Sequence, residues 1–371
     1  MSNNGKKLLC MIDMLGAGGA QRQLVELAIG YKERGYEVAF LIYYKAFDDY
    51  YDGVLEAAGI PIMDIKEPNY LLRVIKMRRM ICRYAPNTII AFLEVPAFIA
   101  EMASILPHKW RLIVGERSAA PKKLTNKRLR FFLHCHRFAD AVVANSNANL
   151  EIVRKVAPEL DTTKQHVIYN SLDPAKFELD QKQTANKKSS KRQILIASSH
   201  QYLKNLDGLI EAIHILPKEV QSQLHINWFG HNKFNTYDHS LEEGLRKIEQ
   251  YGLNEIFTFH DATLDIYEHM RKAEAIGLFS KYEGFPNAIC EGMYLAKPII
   301  ATRVSDIPLL LKEDENAFLS DPNSPESIAT ALTKFLTATP EQLSKMGESN
   351  RAKAQILFNK DAILNQYEQL F

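Results

Sequence analysis

Two acidic residues, Glu283 and Glu291, lie eight positions apart in the stretch EGFPNAICEGMYLAKPIIA. Between them stand Pro286 and Asn287, residue types that favour the start of a helix, so the unpaired N–H groups of a first helical turn are expected close to both carboxylates. A helix N-terminus attracts anions, and a carboxylate accepts hydrogen bonds from hydroxyl groups. The stretch therefore predicts a site for a ligand that carries both hydroxyls and phosphate, as a sugar nucleotide does.

This stretch resembles the two-glutamate donor motif of the retaining GT-B glycosyltransferases of family four, also called group 1. The matching residues are Glu283, Gly284, Phe285, Pro286, Asn287 and Glu291, and the strand PIIAT follows them. The resemblance implies that Glu291 accepts hydrogen bonds from a ribose, while Glu283 and the amides of Phe285 to Asn287 position the donor sugar. The alternative interpretation is a surface loop and helix that carry two solvated acids.

A lysine, Lys204, follows the first strand predicted in the C-terminal half of the chain. A cation there would neutralise the charge that builds on a departing nucleoside diphosphate. The family usually has G-R-L-x-x-x-K-[GN] at this point, whereas this chain has Ser198 to Asn205, with the lysine retained and Ser199 in place of the arginine. Because serine supplies one neutral hydrogen bond and arginine a charged fork, this departure bears on how the diphosphate is held. The alternative for Lys204 is a solvated lysine at a helix start.

Two segments of the N-terminal half match further family elements. Gly18 and Gly19 begin a string similar to G-G-A-[EQ]-R, which implies a loop whose backbone approaches a diphosphate or an acceptor, and a tight strand-to-helix turn is the alternative. The spacing G-x-G-x-x-G of a dinucleotide fingerprint is absent there. Glu116 and Arg117 stand where many relatives have Glu-His. Arginine cannot act as a general base at neutral pH, so we expect an electrostatic role for Arg117 toward phosphate or acceptor, or else a structural pair with Glu116.

Further matches lie at the expected ends of strands. Gly230 matches the glycine that closes the second strand of the nucleotide domain, and His260 matches the point where the base lies in relatives, although an ordinary loop histidine is an equal alternative. Asn145-Ser146 and Tyr169 to Asp173 also match, and for these turn-forming residues we expect an architectural role.

Strands and helices that alternate along the chain must position these residues. The strands predicted in the N-terminal half are Leu8–Ile12, Val38–Ile42, Ile60–Met63, Thr88–Phe92, Leu112–Val114, Ala141–Ala144 and one ending at Ile168. Those predicted in the C-terminal half are Ile194–Ala197, Leu224–Phe229, Ile256–Phe259, Ala275–Phe279 and Ile299–Thr302, with helical segments at residues 325–336 and 340–371 after them. The alternation predicts doubly wound parallel sheets that bind ligands at the carboxyl ends of their strands.

At 371 residues the chain is long for a single core, and residues 178–191 carry little apolar content, which indicates a linker. The predicted fold is therefore α/β, of the GT-B plan, with two Rossmann-like domains and a cleft between them. We expect an acceptor domain at residues 1–177, a linker at 178–192 and a nucleotide-sugar donor domain at 193–358. The resemblance implies that the helix of residues 359–371 packs back on the first domain.

The composition, 46% hydrophobic and 24% charged, is that of a soluble globular protein. Charge is unevenly divided: residues 1–175 hold 24 Lys and Arg against 18 Asp and Glu, and the remainder holds 22 against 26. Four scattered cysteines indicate neither a zinc site nor a disulfide framework, so a reduced, cytoplasmic protein is expected. The most apolar stretch, residues 89–106, is interrupted by charges and a proline, so we expect no membrane crossing.

Two basic stretches, Leu71–Tyr84 and Asn126–Phe138, combine Arg and Lys with large apolar residues, as helices that lie on membranes do. They suggest peripheral contact with an anionic membrane at its inner face. The alternative is a helix with one core face and one solvated face.

Taken together with these residues, the family resemblance implies a retaining glycosyltransferase that moves a hexose or N-acetylhexosamine from a nucleotide-diphosphate sugar, UDP being favoured over GDP, to a glycan or lipid-linked acceptor in surface polysaccharide synthesis. No metal, no other cofactor and no nucleic-acid partner are expected. A nucleotide-sugar epimerase of GT-B fold and a catalytically silent GT-B binding protein are the alternatives. An NAD-linked oxidoreductase is disfavoured, because the fingerprint and an acid at the end of the second strand are both missing.

Overall fold

The computed structural model describes residues 5–16, 18–44, 50–118, 120–178, 191–230, 238–263 and 265–371. The chain divides into two compact units. Unit 1 comprises Met1–Asp173 and Asn359–Phe371, and unit 2 comprises Pro174–Phe358. The linker predicted at residues 178–192 falls largely on residues 179–190, which lie outside the described part of the chain.

Unit 1 contains a parallel sheet whose seven described strands run in the order β3-β2-β1-β4-β5-β6-β7. The strands are β1 Lys7–Met11, β2 Glu37–Ile42, β3 Ile62–Asp64, β4 Thr88–Phe92, β5 Arg111–Glu116, β6 Ala141–Ala144 and β7 Gln165–Val167. Cys10 of β1 pairs with Phe40 on one side and Ile90 on the other, and all three are fully buried. Helices cover both faces of this sheet, which is why its central strands are continuous apolar runs.

The helices of unit 1 are α1 Gly19–Glu33, α2 Asp52–Ala57, α3 Tyr70–Tyr84, α4 Glu94–Ala103, α5 Lys127–Cys135 and α6 Asn147–Val156. The sequence patterns did not predict α4 or α6. Pro96 of α4 is tolerated because it stands in the first turn, where its missing N–H would lack a helical partner in any case. The helix α6 begins with a side-chain cap, since Ser146 Oγ accepts from the N–H of Asn149 at 3.1 Å.

Unit 2 contains a second parallel sheet, whose six described strands run in the order β10-β9-β8-β11-β12-β13. The strands are β8 Arg192–Ala197, β9 Leu224–Phe229, β10 Phe257–His260, β11 Ala275–Leu278, β12 Ile299–Thr302 and β13 Ala317–Ser320. The helices are α7 Ala175–Glu178, α8 Leu206–His214, α9 Lys218–Gln221, α10 Ser240–Gln250, α11 Ile266–Lys272, α12 Asn287–Tyr294, α13 Ile307–Leu310, α14 Pro325–Thr337 and α15 Pro340–Leu357. The sequence patterns did not predict β13. Both units have the doubly wound α/β architecture that the sequence predicts.

The predicted helical segment 340–371 is two helices, because the chain breaks between α15 and α16 (Lys360–Glu368). Asn359 caps the second helix by accepting from the N–H of Ala362 at 3.0 Å. Within unit 1, α16 packs against α1, where Tyr31 donates to Leu364 O at 2.8 Å and Arg34 pairs with Asp361 at 2.9 Å. The last residues of the chain therefore complete the core of unit 1.

The order of strands reverses between β1 and β4 in unit 1 and between β8 and β11 in unit 2. In open α/β sheets, ligands bind outside the carboxyl ends of the strands at such a reversal. None of the described helices has both the length and the apolar character that crossing a bilayer requires.

Candidate active site

An ion pair joins the two loops that follow the reversal strands of unit 2. Lys204 ends the turn after β8, Glu283 lies on the loop after β11, and Lys204 Nζ donates to Glu283 Oε1 at 2.5 Å. Their side chains are only 16% and 10% exposed. Ser280 Oγ donates to the same carboxylate oxygen at 2.6 Å. The charges of Lys204 and Glu283 thus neutralise each other at the carboxyl ends of the strands, where a ligand is expected.

Asn205 fixes the turn that carries Lys204, a role that the sequence analysis did not assign. Its backbone is left-handed, with φ 62° and ψ 40°, a conformation that asparagine tolerates better than most residues. Its buried Nδ2 donates to Phe279 O at 3.1 Å and to Pro322 O at 2.9 Å. These hydrogen bonds connect the start of α8 to the end of β11, and they fix Lys204 beside the carboxyl end of β11.

An open pocket of about 230 Å³ lies where β8, β9 and β10 end, and its lining includes Ser198, Ser199, Phe229, Gly230 and Thr263. The structure thus brings together Ser199 and Gly230, two of the predicted site residues. A Cβ on Gly230 would lie 1.9 Å from Ser198 O, which is backbone and cannot move aside. Only glycine therefore allows β8 and β9 to end this close together.

His260 ends β10, and its ring packs against the sheet. The ring stacks on Phe229 with centroids 4.3 Å apart, and Nε2 lies 3.1 Å from Asn227 Oδ1. Because Asn227 uses its Nδ2 to donate to Gln193, Oδ1 is the acceptor and His260 carries a proton on Nε2. Burial, followed by repulsion from neighbouring histidines, lowers the pKa of His260, which favours a neutral ring. Its carbonyl accepts from the N–H of Gly230 at 3.0 Å.

The predicted helix start at Pro286 and Asn287 is confirmed, since α12 begins at Asn287. The N–H of Asn287 donates to Phe285 O at 3.0 Å, and Pro286 O accepts from the N–H of Cys290 at 3.1 Å. Phe285 is buried and meets Phe358 edge-on at 6.0 Å. The loop before α12 is therefore held by its own backbone and by one aromatic anchor.

Glu291 lies in α12 with only 4% of its surface exposed, and its contacts differ from those of Glu283. Tyr267 of α11 donates to Glu291 Oε1 at 3.5 Å, a long hydrogen bond. The Tyr267 ring in turn packs on Phe177, with centroids 4.6 Å apart. Tyr267 was not predicted as a site residue, because nothing in the local sequence pattern links α11 to α12.

In unit 1, Gly18 and Gly19 lie where predicted, after β1 and at the start of α1. Gly18 is the N-cap in an extended conformation, and its carbonyl accepts from the N–H of Arg22 at 2.9 Å. A Cβ on Gly18 would come within 2.2 Å of Gln21 Oε1, the far end of a flexible side chain. A larger residue at this position would therefore require the Gln21 side chain to move.

Arg117, which follows β5, is anchored from several sides within unit 1. Its guanidinium carbon lies 3.5 Å from the centroid of the Phe92 ring, Nη1 donates to Asn170 Oδ1 at 3.2 Å, and Nη2 donates to the Tyr367 hydroxyl. Burial lowers the pKa of Arg117, and Tyr367 opposes that shift. The carboxylate of Glu116 pairs with Lys123 and with a histidine, and not with Arg117.

That histidine, His136, belongs to a buried ionic network that sequence reasoning missed. Glu116 accepts from Lys123 Nζ at 2.5 Å and from His136 Nε2 at 3.1 Å, and His136 Nδ1 lies 2.5 Å from Glu101 Oε1. Lys123 also pairs with Glu94 at 3.0 Å. Burial opposes the charge on His136, but the two carboxylates outweigh it and raise its pKa to about 10. Burial likewise opposes the charge on Glu116, but the two cations lower its pKa to about 2.

Comparison with known families identifies the class of protein. Residues 17–176 match the model of Glycosyltransferase Family 4, and residues 177–353 match that of Glycosyl transferases group 1. The chain belongs to the group 1 glycosyltransferases of family four. It is therefore a glycosyltransferase, as the two-glutamate stretch predicts.

Among curated proteins, the chain is similar to the N-acetylgalactosamine-N,N'-diacetylbacillosaminyl-diphospho-undecaprenol 4-alpha-N-acetylgalactosaminyltransferase of Campylobacter jejuni subsp. jejuni serotype O:2. The two are 24% identical over 356 residues, which is 89% of this chain and 90% of the relative. Among solved structures, Anabaena HepE in complex with UDP-glucose aligns with a TM-score of 0.84 and 21% identity over 98% of each chain. Sucrose-phosphate synthase from Thermosynechococcus elongatus aligns with a TM-score of 0.82 and 16% identity, again over 98% of each chain. These likenesses confirm the predicted GT-B fold.

Proposed function

We propose that this glycosyltransferase moves a hexose or N-acetylhexosamine from a UDP sugar to a glycan or lipid-linked acceptor in surface polysaccharide synthesis. The observation that carries the proposal is the pocket at the ends of β8, β9 and β10, beside the strand reversal that bears the Lys204–Glu283 pair. HepE has been solved with UDP and UDP-glucose, and the Campylobacter relative is named for a diphospho-undecaprenol acceptor. Both support a nucleotide-sugar donor and a lipid-linked acceptor.

In this proposal five of the predicted residues of unit 2 have a physical role. Ser199 and the backbone at Gly230 border the nucleotide and its diphosphate, and Glu291 accepts hydrogen bonds from the ribose hydroxyls in exchange for its long bond to Tyr267. Lys204 stabilises the charge on the departing diphosphate, and Glu283 positions both Lys204 and the donor sugar. Arg117 lies in unit 1, where its contacts with Tyr367 and Asn170 suit it to shaping the acceptor side.

We further propose that the reaction retains the configuration at the sugar carbon and needs no metal ion. Both features rest on membership of the family. Proton NMR of the first product formed tests retention, since the anomeric coupling distinguishes the two outcomes. An initial rate that EDTA leaves unchanged supports a metal-free reaction, and a rate that EDTA abolishes and Mg²⁺ restores contradicts it.

The first test of the donor is a thermal-shift panel of UDP, GDP, ADP, CMP and NAD on the wild type and Glu291→Gln. A rise in Tm with UDP that is much smaller in Glu291→Gln supports the proposed donor and the ribose role. Stabilisation by NAD alone, or by none of the five, contradicts the proposal. Incubation with a UDP sugar but no acceptor separates transfer from epimerisation, because only an epimerase converts the sugar nucleotide by itself.

Unit 1 also has a basic, apolar surface that we propose contacts an anionic membrane. Exposed residues of α3 include Leu71, Leu72, Ile75, Lys76, Arg79 and Arg83, and those of α5 are Lys127, Arg128 and Phe131. Both helices pack against α4, where the Phe98 ring lies 6.1 Å from the Tyr70 ring of α3 and 5.8 Å from the Phe131 ring of α5. Exposed apolar side chains with basic neighbours suit the headgroup region of a membrane that contains anionic lipids.

Vesicle sedimentation tests this surface. We expect the wild type to bind phosphatidylglycerol vesicles at low salt, and a Lys127→Glu/Arg128→Glu variant to bind them several-fold more weakly. The matched control is Lys32→Glu, an exposed lysine of α1, which covers the opposite face of the sheet. Equal binding by all three proteins, or binding that ignores salt and lipid charge, would argue against the membrane contact.

A further inference from the structure

The turn that carries Lys204 also contacts a second lysine, Lys281, on the loop after β11. The N–H of Lys281 donates to Leu203 O at 2.8 Å. Its ammonium donates to the Tyr202 hydroxyl at 2.8 Å and lies 4.0 Å from the centroid of the Tyr202 ring. Backbone and side chain thus both hold Lys281 against the turn, at the edge where β8 and β11 end.

The two lysines differ in how their charges are compensated. Lys204 faces the carboxylate of Glu283 at 2.5 Å. Lys281 has neutral partners, a hydroxyl and an aromatic ring, and it forms no ion pair within the described part of the chain. A cation–π contact orients an ammonium without cancelling its charge. Lys281 therefore supplies net positive charge that the Lys204–Glu283 pair does not.

A nucleoside diphosphate needs such a charge, and the described lining of the pocket does not provide it. The described residues that line the pocket, from Ser198 and Ser199 to Ile266, are all uncharged. The departing diphosphate gains negative charge as its bond to the sugar breaks, and an uncompensated cation stabilises that charge most. The nearby carboxylate of Asp238 is already engaged by the N–H groups of Tyr202 and Ser240, at 2.9 and 3.0 Å.

We propose that Lys281 is a phosphate-binding residue that contacts the diphosphate of the donor, and that Tyr202 is its positioning residue. The inference rests on the proposed nucleotide-sugar donor. It also gives a reason for the position of Tyr202, a residue that is 61% exposed and whose ring packs against the ammonium of Lys281. Lys204 and Lys281 then both contact the diphosphate. Lys204 is paired with Glu283, and Lys281 supplies the net positive charge.

Calorimetric titration of UDP tests the proposal with four proteins: the wild type, Lys281→Gln, Lys281→Arg and Tyr202→Phe. We expect Lys281→Gln to weaken UDP binding about tenfold or more, the size expected for one charge-assisted hydrogen bond. Lys281→Arg should restore most of the affinity. Tyr202→Phe keeps the ring but loses the hydroxyl, so its loss should be smaller. The matched control is Lys272→Gln, an exposed lysine of α11 paired with Glu268, and it should bind like the wild type.

A salt series separates a charge effect from a structural one. The difference between the wild type and Lys281→Gln should shrink as NaCl rises from 50 mM to 500 mM, since added salt screens an exposed charge. Unchanged UDP affinity in Lys281→Gln, or an equal loss in Lys281→Arg, would overturn the assignment of Lys281 and leave the donor standing. Failure of the wild type itself to bind UDP would overturn the proposed donor, and with it this inference.

Discussion

The buried His136 makes a sharp prediction about stability in alkaline solution. Its pKa rises from 6.5 to about 10 on folding, because the carboxylates of Glu101 and Glu116 outweigh the effect of burial. A group whose pKa is raised by folding stabilises the native state fully below its unfolded pKa, and that contribution disappears as the pH rises through the folded pKa. The wild type should therefore lose stability between pH 7 and pH 9, where only the folded state holds the proton.

The size of the loss follows from linkage. One proton bound by the folded state and absent from the unfolded state gives a slope of about 1.4 kcal/mol per pH unit. Over two pH units the free energy of unfolding should fall by about 3 kcal/mol relative to a variant without the histidine. The low pKa of Glu116 expresses the same interaction, so the two shifts are not added.

The assay is urea unfolding of the full chain at pH 7, 8 and 9, for the wild type and His136→Gln. Unit 1 contains Trp110, which is buried, and a Trp228→Phe background removes the tryptophan of unit 2, so fluorescence then reports on unit 1. We expect the two stability curves to converge as the pH rises. The matched control is His134→Gln, two positions earlier near the end of α5, whose partly exposed pair with Glu159 should contribute little at any of these pH values.

Parallel curves for the wild type and His136→Gln between pH 7 and 9 would refute the reasoning, because they would mean that His136 is neutral in the folded protein. Should His136→Gln fail to fold, NMR titration of the wild type decides the question. The ring signals of His136 should then stay at their protonated positions up to at least pH 9.

Three substitutions test the packing of the site and the charge it carries. Gly230→Ala should abolish UDP binding and lower stability by about 1–3 kcal/mol, measured by thermal shift, because the new Cβ meets the Ser198 carbonyl 1.9 Å away. Tyr367→Phe should lower the free energy of unfolding by about 1–3 kcal/mol in urea, since the guanidinium of Arg117 loses a buried partner. Lys204→Met should reduce kcat by a factor of about 100–1,000 in an initial-rate assay, because the departing diphosphate loses a positioned cation.

Each of these substitutions has a matched control elsewhere in the chain. Gly53→Ala places a methyl in open space within α2 and should be neutral or slightly stabilising. Tyr84→Phe removes an exposed hydroxyl that donates to Glu37 O, and Lys272→Met breaks an exposed i,i+4 pair. If a control variant shows the same effect as its test variant, the test substitution acts on the fold in general. The specific reason given for that residue would then be wrong.

Much of the fold follows from local pattern. Apolar runs such as Leu8–Ile12 and Ile299–Thr302 predict buried parallel strands, and the structure confirms both within one residue at either end. Pro286 and Asn287 correctly predict the start of α12. The errors also have local causes. The helix α4 was not predicted because Pro96 and two acids interrupt its apolar pattern. The last helix was predicted as one continuous segment, whereas the chain breaks before the N-cap Asn359 of α16.

The sequence by itself determined where the strands, the helix start and the glycines of the site lie, because those features depend on residues a few positions apart. Only the tertiary structure decided which polar side chains meet: Lys204 with Glu283 across 79 positions, and Arg117 with Tyr367 across 250. Such pairs depend on which strands become neighbours in the sheet and on where the chain returns. Periodicity reports which face of an element is buried, but it does not report what packs against that face.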